Sequence, residues 1–147
     1  MDYKGHLLVG YSVGLIFLAV MNLTLGWFSK DILSLVIYSL VIGLYCLLLD
    51  VDHPISTITW IFVASSLLGL VYGFFLDRTI MYYSFGLLVF TYISAQLFPH
   101  RGFIHSITFC ALASIPLFFI FGLPVACLGM ASAYSHLAAD GEWLKLV

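Results

Sequence analysis

The chain has 147 residues, of which 63% are hydrophobic and 8% are charged, with a formal net charge of -2. A soluble domain carries about 25% charged residues, so this chain has too little polar surface to cover a water-soluble globule, and the bilayer is its expected solvent. The mild negative charge, without any basic run, argues against nucleic acid as a partner.

Six apolar runs follow in order, over residues 7–28, 32–49, 57–76, 79–98, 103–122 and 124–139. A spanning helix needs roughly 17 to 25 residues; the first five runs meet that length and the sixth is short. The first run follows Lys4, but its length and the lack of a small-x-small cleavage site read it as a retained helix rather than a leader. Gly122-Leu123-Pro124 is the turn that divides the last long apolar stretch. The expectation is an all-α, polytopic membrane protein of about six transmembrane helices, with residues 1–147 forming a single integral membrane domain. Cys46, Cys110 and Cys127 lie inside apolar runs and read as small packing residues, with no disulfide framework.

The ionisable residues are unevenly placed. With alternating crossings, one end of the helix stack receives Asp2, Lys4 and His6 before the first run and Asp50, Asp52 and His53 after the second. The same end receives His100, Arg101 and His105 around the start of the fifth run, and His136, Asp140, Glu142 and Lys145 at the close of the sixth. The other end receives only Lys30, Asp31, Asp77 and Arg78. Loop marking alone would scatter polar residues over both ends, whereas every histidine falls on one. Ionisable residues at membrane depth are costly and usually functional, so a shared polar site is expected there.

The residue types narrow its chemistry. His136 and Asp140 are four apart, which on a helix places an imidazole and a carboxylate one turn apart on one face. In Asp50-Val51-Asp52-His53-Pro54, proline disfavours helix at the preceding residue, so a helix should end there and let three ligand-type side chains splay towards a common point. In Pro99-His100-Arg101-Gly102-Phe103-Ile104-His105, two histidines bracket a helix start, where free N–H groups favour anions. Arg101 offers a planar fork for phosphate or carboxylate, or a headgroup anchor. Together His6, Asp50, Asp52, His53, His100, His105, His136 and Asp140 supply eight nitrogen or oxygen ligands and no thiolate. That set suits one or two divalent ions, Zn²⁺ first and Mn²⁺ or Fe²⁺ as alternatives.

Four pieces carry a resemblance: Gly5-His6-Leu7-Leu8, Asp50-Val51-Asp52-His53-Pro54, His100-Arg101-Gly102-Phe103-Ile104-His105-Ser106 and Ser135-His136-Leu137-Ala138-Ala139-Asp140. In this order they resemble the YdjM-like membrane-bound metal-dependent hydrolases, distantly similar to zinc-dependent phospholipases C. Leu49 stands where that family usually has proline and Ile104 where it has threonine, and the chain runs seven residues past Asp140, where relatives often continue. The resemblance implies a multi-pass protein of a prokaryotic inner membrane whose His and Asp motifs bind metal for hydrolysis.

The expected function is therefore a metal-dependent hydrolase acting on a phosphoester of a lipid or other amphiphile. Metal-activated water would attack, Arg101 would hold the phosphate, and Asp50 or Asp52 would act as general base. Membrane lipid is then both solvent and candidate substrate. The alternatives are a metal-ion or proton-coupled transporter, which should carry polar residues near mid-helix, and a non-catalytic structural protein. Lys and Arg number three on the site side (Lys4, Arg101, Lys145) and two on the other (Lys30, Arg78), a slight cytoplasmic lean for the site.

Overall fold

The computed structural model describes the chain except Met1, residues 98–101, Trp143, Val147 and the side chain of Leu97. The described residues form six α-helices: α1 (Tyr3–Leu25), α2 (Ile32–Tyr45), α3 (Thr57–Phe75), α4 (Arg78–Leu97), α5 (Ile107–Phe121) and α6 (Leu123–Ala139). A short 3-10 helix, Leu48–Asp52, follows α2, and no strand occurs among the described residues. The all-α expectation holds. By length and composition α1 and α3 can each cross a membrane, while α2, α5 and α6 are shorter apolar helices.

The helix ends depart from the apolar runs in informative ways. Asp2 caps α1 by accepting from the Gly5 N–H at 2.9 Å, so the helix starts at Tyr3 and His6 lies on it rather than before it. The second run is not one helix: Leu47 N–H turns to the Leu44 carbonyl at 3.2 Å, and the chain tightens to 3-10 winding through Asp50. Ser106 caps α5 by accepting from Phe109 N–H at 3.1 Å, which leaves His105 just ahead of the helix. Gly122, at φ 85°, closes α5 and opens α6, as the Gly-Leu-Pro turn requires.

The described chain divides into two compact units, Met1–Leu49 with His105–Val147, and Asp50–Ile104. In the first, α6 packs against α1, α2 and α5. Phe28, Tyr38, Val41, Ile42, Leu117 and Leu128 form its main apolar cluster, and Leu49, Cys110, Ala133 and Leu137 form a second one. Cys46 and Cys110 are fully buried, as packing residues should be. The Tyr45 hydroxyl donates to the Ala113 carbonyl at 2.7 Å and ties α2 to α5. On α1 the buried residues are His6, Gly10 and Gly14, a stripe with one-turn spacing.

The second unit is an antiparallel pair, α3 and α4. A Cβ on Gly73 would lie 2.3 Å from the Met81 nitrogen, and one on Gly69 would lie 2.1 Å from the Ser84 Oγ. The Gly69-x-x-x-Gly73 spacing lets the two backbones approach closely. Ser56 caps α3, and the Thr59 hydroxyl donates to the His53 carbonyl at 2.9 Å. In the first unit the usual polarity is inverted: Leu23, Ile32 and Phe119 are exposed while His6, His105 and His136 are buried. Only 11% of the α1 apolar window is buried, which is unlike the core helix of a soluble protein.

Candidate metal centre

In the first unit, the start of α1, the residue before the α5 cap and the end of α6 bring three imidazoles around one carboxylate. Asp140 follows α6 as its C-cap. Its Oδ1 is 3.5 Å from His6 Nε2, and its Oδ2 is 3.6 Å from His136 Nε2 and 4.0 Å from His105 Nε2. The three imidazoles are at most 2% exposed and the carboxylate 6%. His6 and His136 stack with centroids 3.7 Å apart, and His105 meets His136 edge-on at 5.3 Å.

Each group is placed by its helix. His136 and Asp140 share a face one turn apart. Gly141 at φ 79° ends α6, and Glu142 N–H returns to the Leu137 carbonyl at 2.8 Å, which fixes Asp140 at the helix terminus. The segment beyond it is strapped to α5: Ile107 N–H donates to the Lys145 carbonyl at 2.9 Å and the Thr108 hydroxyl to the Leu146 carbonyl at 2.5 Å. This ties the start of α5, next to His105, to the end of α6.

His136 Nδ1 lies 2.7 Å from the Cys46 carbonyl. A carbonyl only accepts, so Nδ1 carries the proton, which leaves Nε2 as the ring atom that faces Asp140.

The separations discriminate between uses of this cluster. N–H···O bonds run about 2.7 to 3.2 Å, shorter than the 3.5 and 3.6 Å found here. Ligands about 2.0 to 2.1 Å from a tetrahedral zinc lie roughly 3.3 to 3.4 Å apart, close to what is seen. His6, His136 and Asp140 can thus hold a metal ion with one ligand atom each. Two nitrogens and an oxygen, with His105 Nε2 4.0 Å from the same carboxylate, form a donor set of the borderline kind that suits Zn²⁺, Mn²⁺ or Fe²⁺.

Asp50, Asp52 and His53 belong to the second unit, on the 3-10 helix and just after it. Asp52 is buried and Asp50 and His53 half-buried, but the three do not form a metal-binding group among themselves. His100 and Arg101 lie outside the described residues. Sequence reasoning missed the Cys46 carbonyl, because a backbone acceptor leaves no trace in side-chain identity. It also missed Gly10 and Gly14, although small residues four apart on an apolar helix are a readable sign of close packing.

A helical protein that turns apolar faces outward and encloses a His/Asp cluster is a membrane protein with a polar centre. The family model for the YdjM inner membrane protein matches residues 1–144, and the chain belongs to that family. Neither a curated protein nor a solved structure matches it.

Proposed function

We propose that the chain is a multi-pass, metal-dependent hydrolase of the inner membrane, with zinc as its preferred ion and a phosphoester of a lipid or other amphiphile as substrate. The observation that carries this reading is the convergence of His6, His105, His136 and Asp140 in a buried cluster. A carboxylate and three imidazoles gathered in one buried cluster are donors of the kind that a divalent cation shares. When bound, a divalent cation supplies Lewis-acid chemistry, lowering the pKa of water and drawing charge from a phosphoryl oxygen.

The chain's own groups prepare for that role. The Cys46 carbonyl fixes the His136 tautomer, and the Asp140 carboxylate supplies the negative charge that compensates a cation. Arg101 is assigned the substrate phosphate and Asp50 or Asp52 the proton, as the sequence suggests. An amphiphilic substrate is supported by the apolar setting: the second unit carries a cavity of about 470 Å³ walled by Pro54, Val63, Leu88 and Tyr92 among others. The excess of lysine and arginine on the site end favours a cytoplasmic-facing centre.

The test is hydrolysis of a phosphorylated amphiphile by purified protein in detergent or liposomes. Activity should vanish with a strong chelator and return with Zn²⁺ or Mn²⁺. A fully metal-loaded protein that hydrolyses no phosphoester across a broad lipid panel would overturn the reading.

A further inference from the structure

The buried stripe of α1 joins the candidate centre to the end of α2 through one glycine. A Cβ on Gly10 would stand 2.3 Å from the Cys46 Cβ, 2.8 Å from its Sγ and 3.6 Å from the Ser135 Oγ. The Cys46 Cβ is fixed to its backbone and cannot swing aside. At Gly14 the clash is instead with the Ile42 side chain, Cδ1 and Cγ1 both at 2.7 Å and Cγ2 at 3.1 Å, a contact one turn farther from His6 that does not involve Cys46.

Two parts of the centre hang on the Gly10–Cys46 contact. His6 lies one turn before Gly10 on the same face of α1. The Cys46 carbonyl is the acceptor that holds His136 Nδ1. A side chain at position 10 must therefore shift α1, which carries His6, or the end of α2, which carries the carbonyl that orients His136.

We infer that Gly10 is a positioning residue: its missing side chain sets the close approach of α1 to Cys46 that keeps His6 and His136 in register as metal ligands. This deepens the metal-centre reading and rests on it for one readout, the affinity. The second readout, the His136 tautomer, stands without any metal. Partners that orient metal-ligating histidines are typically worth 10- to 100-fold in affinity, and displacing the acceptor should cost within that range.

The experiment compares Gly10→Ala, Gly14→Ala, Cys46→Gly and the double variant Gly10→Ala/Cys46→Gly in the full chain in detergent. Zinc affinity is read by competition with a chelating dye, and the His136 tautomer by ¹⁵N-histidine NMR on metal-free protein. Gly10→Ala should weaken zinc about tenfold or more and displace the Nδ1–H tautomer, while Gly14→Ala changes affinity less than threefold. The double variant should return to within threefold of Cys46→Gly, because removing the Cys46 Cβ makes room for the new one. That rescue also settles the case if Gly10→Ala alone folds poorly. Wild-type affinity and tautomer in Gly10→Ala, or a double variant no better than Gly10→Ala, would overturn the inference. If wild type binds no zinc, the metal reading fails by itself, and the tautomer comparison across the four variants still decides the role of Gly10.

Discussion

His6 and His136 come from opposite ends of the chain, yet their rings lie 5° from parallel with centroids 3.7 Å apart. Stacking at that distance holds the two rings in register at one end of the helices that carry them. Both Nε2 atoms approach the same Asp140 carboxylate. His6→Ala, His136→Ala and Asp140→Ala should each lower divalent metal affinity at least tenfold. Lys145→Ala should leave it unchanged, because that side chain meets Glu142 at 3.5 Å and its carbonyl bond to Ile107 survives. Metal content by mass spectrometry after dialysis checks both.

The α3–α4 pair makes a prediction about packing. A Cβ on Gly73 meets the Met81 backbone nitrogen at 2.3 Å and its Cα at 2.6 Å, and neither can move without its helix. Gly73→Ala should destabilise by about 1 to 3 kcal/mol, read as a lower Tm in detergent. Gly86 has nothing within 4 Å of such a Cβ, so Gly86→Ala should be neutral or stabilise by up to about 1 kcal/mol. Equal losses from the two would contradict the close approach.

At the opposite end of the chain's polarity, Asp31 caps α2. Hydrogen bonds from the Ser29 hydroxyl first, then from the Ser34 hydroxyl and N–H, lower its pKa from 3.8 to about 2. A depressed carboxyl stabilises the fold above its unfolded pKa, and that contribution is lost as pH falls through its folded value. The first turn of α2 should therefore stay capped at pH 4 and loosen towards pH 2. The Ser34 amide, which donates to Asp31 at 2.9 Å, should report this by NMR with a midpoint near 2. In Asp31→Asn that titration should be absent.

How much of this was legible in the sequence depends on the kind of evidence each feature leaves. The six helices follow from apolar runs and punctuation by Gly122 and Pro124. The His136/Asp140 pair follows from helical spacing, and the placement of His6 beside it follows from counting crossings. Helix ends were less legible, because a cap such as Asp2 or a tightening such as Leu47 to Leu44 is a local hydrogen bond that hydropathy does not register. The Cys46 carbonyl was invisible in principle: any residue at that position has one. Gly10 was readable only as a small residue four before another, with no sign that Cys46 would face it.

Arg101 separates the enzyme from a transporter. Its guanidinium stays protonated and is no metal ligand, so Arg101→Lys should retain bound metal while losing the bidentate fork. Charge-assisted hydrogen bonds are worth about 1.5 to 3 kcal/mol, which predicts a fall in phosphoester hydrolysis of about tenfold to a hundredfold. If metal-loaded wild type instead moves divalent ions across liposomes and hydrolyses nothing, the transporter takes the enzyme's place.

On the function proposed above, His6, His105, His136 and Asp140 enclose a divalent cation. X-ray absorption at the zinc edge of zinc-loaded protein tests it most directly. A first shell of nitrogen and oxygen only, at about 2.0 to 2.1 Å, is expected, with imidazole multiple scattering that weakens in His136→Ala. A sulfur shell at about 2.3 Å would place the ion on Cys46, Cys110 or Cys127, and a zinc-free protein would leave the cluster a hydrogen-bond network; either result would contradict the account.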